Sequence, residues 1–407
     1  HKEGLSHNTV RCMMQDSHGF MWISTINGLN RYDGYRFITM HPEFSQLSLV
    51  ENNIRQTKED KNGHIWIHSS SRFVNCYDMN TEAFVDYTGT QEARNYRKIK
   101  VMPDGDVWLW GTDHGACHVR YVDGKITSKL YDIENIGTNL ITFVYKDSSG
   151  QTWMGTDKGL IQIIEEAPVF CNYKTGNRAY SYHSSVEVID QIFFFTNDSV
   201  VWAYNKKKKD FKLIEGVNVR INHTFALDDN TILIAGKQST HIFNVSSGKI
   251  SSARSLFDNK DLAGSHIHID NKGNCWVYNR TGNLWKYRKD KQQFECLNVI
   301  PRSILSIIDL ERFGIFCDSR GITWITTYGN GLFIIEENET VTHLTPANSG
   351  LKTNYLLSIS EDSTGDIWIG MENAGIAKIS LTKYNKQVLL PNSPKLGEPD
   401  KIIRSIY

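Results

Sequence analysis

Five residues of this chain could together do recognition chemistry: Arg97, Trp110, His114, Arg280 and Tyr328, all in or beside short polar stretches between apolar runs. Guanidinium and imidazole groups supply donors for sugar hydroxyls, and indole and phenol faces stack on pyranose rings. A few convergent polar groups beside aromatic surface are what a small-ligand site requires. Trp110 is an additional tryptophan two residues past Trp108, where comparable stretches carry Ser24, His68 or Gly370. Neighbouring stretches add Asn8, Asn27, Asn53, Asp113, Lys158, Asn330 and Asn373. Loop polarity mostly reflects exposure, so the five are read as a candidate carbohydrate site and not as a catalytic one.

Other chemistry is weaker in this sequence. Asp106, Asp113, Asp157 and Glu372 could be recruited as a glycosidase pair, but only their separation would decide it. His266 and His268 alternate onto one strand face, and His114 and His118 flank a glycine turn. Neither pair brings the third ligand a metal needs, so no metal and no cofactor is expected. No Gly-x-Ser-x-Gly, Walker loop or His-Glu-x-x-His occurs. The lysine run 206–209 reads as a solvated hairpin tip. With 45 basic and 45 acidic residues among 407, the chain offers no net positive charge for nucleic acid. No apolar run reaches the roughly 18 residues of a membrane helix. Seven cysteines without paired spacing argue against a disulfide framework or zinc site and read as small buried strand residues. The opening HKEGLSHN lacks a signal peptide and suggests a processed N-terminus.

The polar loops need a scaffold, and the scaffold is periodic. Asp-x-x-Gly followed by Trp recurs, or nearly so, at Trp22, Trp66, Trp108, Trp153, Trp276, Trp324 and Trp368. The steps are 44, 42 and 45, then 123, then 48 and 44. The long step holds two degenerate copies, seen near Thr196 and Leu227, which makes nine units. Each unit reads as four short strands: a β-branched run, the Asp-x-x-Gly turn, the Trp strand, a Gly-bearing polar turn, and two further strands. Tyr77 and Phe84, Tyr204 and Phe211, Phe243 and Ile250, and Tyr287 and Phe294 are each seven apart, which suits a hairpin between strands three and four. A period near 45 with four antiparallel strands predicts an all-β propeller, its tryptophans wedged between neighbouring sheets.

The stretch 4–37, GLSHNTVRCMMQDSHGFMWISTINGLNRYDGYRF, resembles the opening repeat of the periplasmic sensor regions of Bacteroides-type hybrid two-component systems, which are built of two-component regulator propeller repeats. The Leu-Ser-x-Asn lead-in, the Asp-x-x-Gly-x-x-Trp-Ile core and the Gly-Leu-x-Arg-Tyr-Asp-Gly end carry the resemblance, which runs through seven clear copies and two decayed ones. The resemblance implies two seven-bladed propellers in series, then an immunoglobulin-like stalk, a membrane helix, a histidine kinase, a receiver and a DNA-binding domain. On that pattern residues 1–301 form the first seven-bladed propeller and 302–407 the first blades of a second, with IIRSIY at 402–407 opening a tenth unit of an incomplete fragment. One ring of eight or nine blades is the alternative, because an unclosed stack leaves unpaired edges.

The implied function is a periplasmic ligand-sensing region that is not itself an enzyme, although its parent is a histidine kinase. Its expected ligand is an oligosaccharide from polysaccharide breakdown. Its output is a signal across the membrane to polysaccharide-utilisation genes. Membrane contact and dimerisation would come through parts outside this sequence. A propeller glycosidase or lyase, or a protein-binding scaffold with a large apolar patch, are the alternatives.

Overall fold

The Asp-x-x-Gly turn and the tryptophan six residues past the aspartate form one hydrogen-bonded unit. The computed structural model describes residues 4–43, 47–86, 96–122, 125–164, 171–173, 182–196, 200–214, 221–236, 239–257, 266–279, 283–297, 300–301, 312–336, 338, 340–382 and 385–389. Asp16 Oδ1 accepts the amides of His18 and Phe20, both at 2.9 Å, and Oδ2 accepts the Trp22 indole N–H at 2.7 Å. The same indole bond, 2.9–3.1 Å or 2.7 Å long, recurs for Trp66, Trp153, Trp276, Trp324 and Trp368 on Asp60, Asp147, Asp270, Asp318 and Asp362. The carboxylate thus closes the turn and fixes the ring that fills the core. Gly19, at φ +90°, takes the left-handed position of the turn, which costs glycine no Cβ clash.

Among the described residues nine four-stranded antiparallel sheets result, each with its strands in sequence order. They are blades 1 to 9, spanning 10–40, 54–85, 98–131, 141–173, 182–214, 221–252, 266–296, 314–344 and 356–389. The second strands are almost wholly buried; Met21–Thr25, His64–Ser69 and Ile367–Met371 bury every residue. Fourth strands such as Lys125–Tyr131 are largely exposed. The residues spaced by seven are direct cross-strand partners: Tyr77 with Phe84, Tyr204 with Phe211, Phe243 with Ile250 and Tyr287 with Phe294.

Blades 5 and 6 show what replaces the repeat tryptophan. Trp66 pairs with the residue before Glu59, while Phe193 pairs with the residue before Glu187 and Leu233 with the residue before Ala226. Phe193 and Leu233 hold the tryptophan's place, and Trp202 lies on the third strand of its blade. In blade 3, Met102 stands where the aspartate would be, and the His118 ring stacks on Trp108 at 4.0 Å and 7°.

Blades are joined by a repeated staple. The serine after the turn aspartate donates its amide and hydroxyl to a carboxylate at or one residue before the end of the next blade's first strand. Ser17 binds Glu59, Ser148 binds Glu187 and Ser319 binds Glu361, at 2.5–2.9 Å or 2.8 and 2.5 Å. A backbone link accompanies it: the second-turn glycine amide donates to the lead-in asparagine carbonyl of the next blade, Gly28 to Asn52 at 2.7 Å and Gly331 to Asn354 at 3.1 Å.

The described residues fall into two compact units. One draws on His1–Leu109, Cys117–Lys129 and Ile308–Tyr407; the other draws on Trp110–Ala116 and Leu130–Ile307. In the first, blade 9 packs on blade 1. Gly375 donates to the Asn8 carbonyl at 2.7 Å, the Ser363 amide to Gln15 Oε1 at 2.6 Å, and Thr9 Oγ1 to Asn373 Oδ1 at 2.8 Å. Val10, Met13 and Tyr32 share a core with Trp368 and Ile376. The expected seven blades plus the start of a second propeller are therefore corrected to nine blades. Residues 302–407 supply blades 8 and 9, and the apolar face of blade 1, which cannot remain bare, is covered by blade 9. In the second unit, cores run from blade 4 through blade 7, around Trp153, Phe193 and Trp285.

Candidate functional site

The first strands of blades 1, 2, 4, 5, 6 and 9 carry the same irregularity. Val10 pairs with Thr25 but Cys12 with Ser24, so Arg11 is one residue too many. Arg55, Thr142, residue 183, residue 222 and Leu357 are the extra residues of the other five. A β-bulge leaves its extra residue outside the ladder and re-aims the side chain. In blades 1 and 2 that residue is an arginine.

Arg11 and Arg55 line a cavity of about 490 Å³ in the first compact unit. Its other walls are Cys12, Met13, Gln56, His68, Arg97, Gly314, Thr326, Leu357, Ser358 and Ile359. Blades 1, 2, 8 and 9 and the residue preceding the blade 3 first strand thus contribute to it. Among the described residues no carboxylate lines it. Arg11 Nε and Ser358 Oγ are buried and find no hydrogen-bond partner among the described residues. Gly370 leaves the room Ser358 uses, since a Cβ there would lie 2.2 Å from its hydroxyl.

His68 holds one wall in place. Its Nε2 lies 2.7 Å from the Tyr96 carbonyl, which can only accept, so the ring donates there and fixes the backbone beside Arg97. Burial pushes the His68 pKa below its ordinary value, opposed by the Tyr96 carbonyl and assisted by the charge of Arg55. The ring is neutral near pH 7 and adds no fourth cation.

Of the five residues singled out in the sequence, Arg97 alone lines this cavity. Trp110 is 6% exposed, its indole N–H 3.4 Å from the Thr142 carbonyl, so it presents no open ring face. His114 is exposed. Arg280 lies outside the described residues. Tyr328 sits in a separate cluster of the first unit. Its hydroxyl bonds Glu372, the Arg312 guanidinium lies 4.1 Å over its ring, and Tyr355 meets it edge-on at 4.9 Å. The carboxylates considered for hydrolysis bind other side chains: Asp106 binds His118, Asp157 binds Thr138 and Glu372 binds Tyr328. Asp113 is exposed and accepts from the Thr112 hydroxyl.

Arg11 and Arg55 were not among the sequence candidates. Their signal is positional: Arg11, Arg55 and Arg97 each stand eleven residues before the tryptophan of their repeat, at Trp22, Trp66 and Trp108. Among the described residues no group of three His, Cys, Asp or Glu side chains could hold a metal ion, and no helix is long and apolar enough to cross a membrane. Cys76, Cys117, Cys275 and Cys317 are free and buried, and Cys12 and Cys296 are free and partly buried.

Residues 4–27 and 350–373 match the protein-family model described as Two component regulator propeller. The chain carries that repeat in blades 1 and 9. No curated protein matches the chain. Among solved structures, it is similar to the extracellular domain of a one-component system from B. thetaiotaomicron, at 17% identity over 98% of this chain and 68% of that one, TM-score 0.39. It is similar also to the extracellular domain of a hybrid two-component system of the same organism, at 20% identity over 95% and 65%, TM-score 0.29. The Dos1 propeller aligns at 8% identity over 95% of each chain with TM-score 0.50, a likeness of fold.

Proposed function

We propose that this chain is the extracytoplasmic, periplasmic ligand-sensing region of a hybrid two-component histidine kinase, and that it binds an oligosaccharide from polysaccharide breakdown without turning it over. The observation that carries this reading is the position of the two family-matched segments. The first supplies Arg11, Cys12 and Met13 to the cavity and the second supplies Leu357, Ser358 and Ile359. The repeats that resemble a signalling family are thus the repeats that wall a polar cavity of ligand size.

Ligand in this cavity would touch the first strands of blades 1, 2, 8 and 9 together. It could therefore change how tightly those blades pack, and a sensor needs only that the ligand bind one packing state better than another. Transmission through a dimeric stalk to kinase domains, and from there to polysaccharide-utilisation genes, belongs to parts outside this sequence. The test is isothermal titration of the chain against a panel of plant and host oligosaccharides, with product analysis of the same samples. Heat without new products is the expected result. Appearance of shortened or unsaturated products would make the chain a glycosidase or lyase and overturn the sensor reading.

A further inference from the structure

We propose that the ligand of the first-strand cavity is acidic: an oligosaccharide whose carboxylate or sulfate ester is held by Arg11, Arg55 and Arg97. The proposal rests on the sensor reading and names the ligand class of the same site.

Three guanidiniums from successive repeats line one cavity, and among the described residues no carboxylate lines it with them. Elsewhere arginines of this chain do find acids: Arg31 pairs with Glu82, Arg288 with Glu295 and Arg320 with Asp318. Acidic residues are not scarce, since they equal the basic ones in number. Among the described residues Arg11, Arg55 and Arg97 make no ion pair, and Arg11 Nε is buried without a partner. Like charges gathered in a recess raise its potential and destabilise the empty state; an anion in the recess reverses the sign of that term. Arginine's planar fork fits carboxylate and sulfate oxygens bidentately, a geometry lysine does not offer.

The lining also argues against a neutral sugar. Among the described residues no aromatic ring but the His68 imidazole lines the cavity, so they offer a pyranose no stacking platform there. Met13, Leu357 and Ile359 give a plain apolar side, and Ser358 Oγ offers an unused hydroxyl. Charge, supplemented by one hydroxyl, is the chemistry available for recognition.

The test is titration calorimetry of the full chain at low salt with four probes: tetragalacturonate, its methyl ester, a sulfated carrageenan tetrasaccharide, and neutral xylotetraose. We expect tetragalacturonate or the sulfated probe to bind, which assigns the group as carboxylate or sulfate. The methyl ester and xylotetraose should each bind at least about tenfold more weakly, and affinity for the acidic probe should fall as sodium chloride is raised. Each of Arg11→Gln, Arg55→Gln and Arg97→Gln should weaken the acidic ligand by about tenfold to a hundredfold, the worth of a hydrogen bond to a charged group. Arg55→Lys should recover part of the loss. Arg55 and Arg97 are exposed, so their variants test the site even if Arg11→Gln does not fold. Binding of xylotetraose that neither salt nor the three variants weaken would overturn the acidic ligand and leave the sensor reading standing. Absence of heat with all four probes and with the wider oligosaccharide panel would overturn both.

Discussion

The turn aspartate, in the six repeats where it binds the tryptophan, should be worth more to the fold than its surface turn suggests, and Asp16 is the clearest place to measure it. Asp16→Ala removes three acceptor contacts at once: two backbone amides at 2.9 Å and the Trp22 indole at 2.7 Å. The two amide bonds are only part-buried, so water partly replaces them, at about 1 kcal/mol each. Trp22 is fully buried, and its N–H would keep no partner, which adds about 2 kcal/mol of unsatisfied-donor penalty. The sum is about 4 kcal/mol, a large part of the stability of a typical domain. At about 2–4 °C per kcal/mol for a unit of this size, melting should fall by roughly 10 °C.

Asp16→Asn separates the two contributions. The amide oxygen can still accept from His18 and Phe20, but its NH₂ faces the Trp22 N–H donor to donor. About half of the alanine loss, near 2 kcal/mol, should remain. Urea unfolding followed by far-ultraviolet circular dichroism gives both values. Should Asn match the wild type within about 0.5 kcal/mol, the indole–carboxylate bond would have no energetic role and the turn alone would explain the motif.

Three further outcomes follow from the same contacts. Acid should unfold the chain below about pH 4, near the ordinary aspartate value. Burial acts to raise the pKa of Asp60, Asp270 and Asp362, yet bonds from His64 and Trp66, from Trp276 and Asn274, and from Thr364 and Trp368 outweigh it and hold all three below the usual range. Glu187, opposed by burial but bound by Lys206 and Ser148, is lowered to about 2. Depressed folded values give stability that is complete above the unfolded pKa and lost as pH falls through the folded one, so a flat stability curve from pH 6 to 3 would contradict these assignments. Gly370→Ala would place a Cβ 2.7 Å from Val10 Cγ1, at the contact of blade 9 with blade 1, and should cost about 1–3 kcal/mol in thermal or urea unfolding; Val10→Ala in the same chain should make the two losses less than additive, whereas strict additivity would mean the blades do not meet there. Ser319→Ala should cost about 1–2 kcal/mol by removing the hydroxyl bond to Glu361 while sparing the amide bond, and Glu361→Ala should cost more because both are lost; equal stability of the two variants would refute the staple.

What the sequence made legible is what repeats locally. The tryptophan period, the aspartate turn and the seven-residue hairpin spacing are short-range, and each became a blade, a turn or a cross-strand pair. Blade 9 covering blade 1 was not legible, because Thr9 and Asn373 meet across 364 residues and no period states which blade faces which. The missing tryptophans of blades 5 and 6 were masked by the same logic. Trp202 is the tryptophan of the degenerate copy near Thr196, yet register gives the core position to Phe193, for which a large apolar ring is sufficient.

The site was hidden by strand alternation itself. In VRCMMQ or IRQTKE an arginine directly after an apolar residue reads as a solvent-facing strand residue, since successive side chains point to opposite faces. That reading fails where a bulge interrupts the count, and a bulge has no composition of its own. Trp110 shows the converse error: a rare residue type suggested a binding platform, but its place at the end of a buried second strand keeps it in the core. Arg97 was found because it borders a loop; Arg11 and Arg55 become visible only when repeats are aligned on their tryptophans and the eleventh residue before each is compared. The comparison also separates scaffold from site. At that offset architecture tolerates Thr142, Phe313 and Leu357, so the fold does not require arginine there. On the proposed reading the three arginines of the first three repeats serve the ligand, and replacing the exposed Arg55 and Arg97 should change binding while leaving the blades folded.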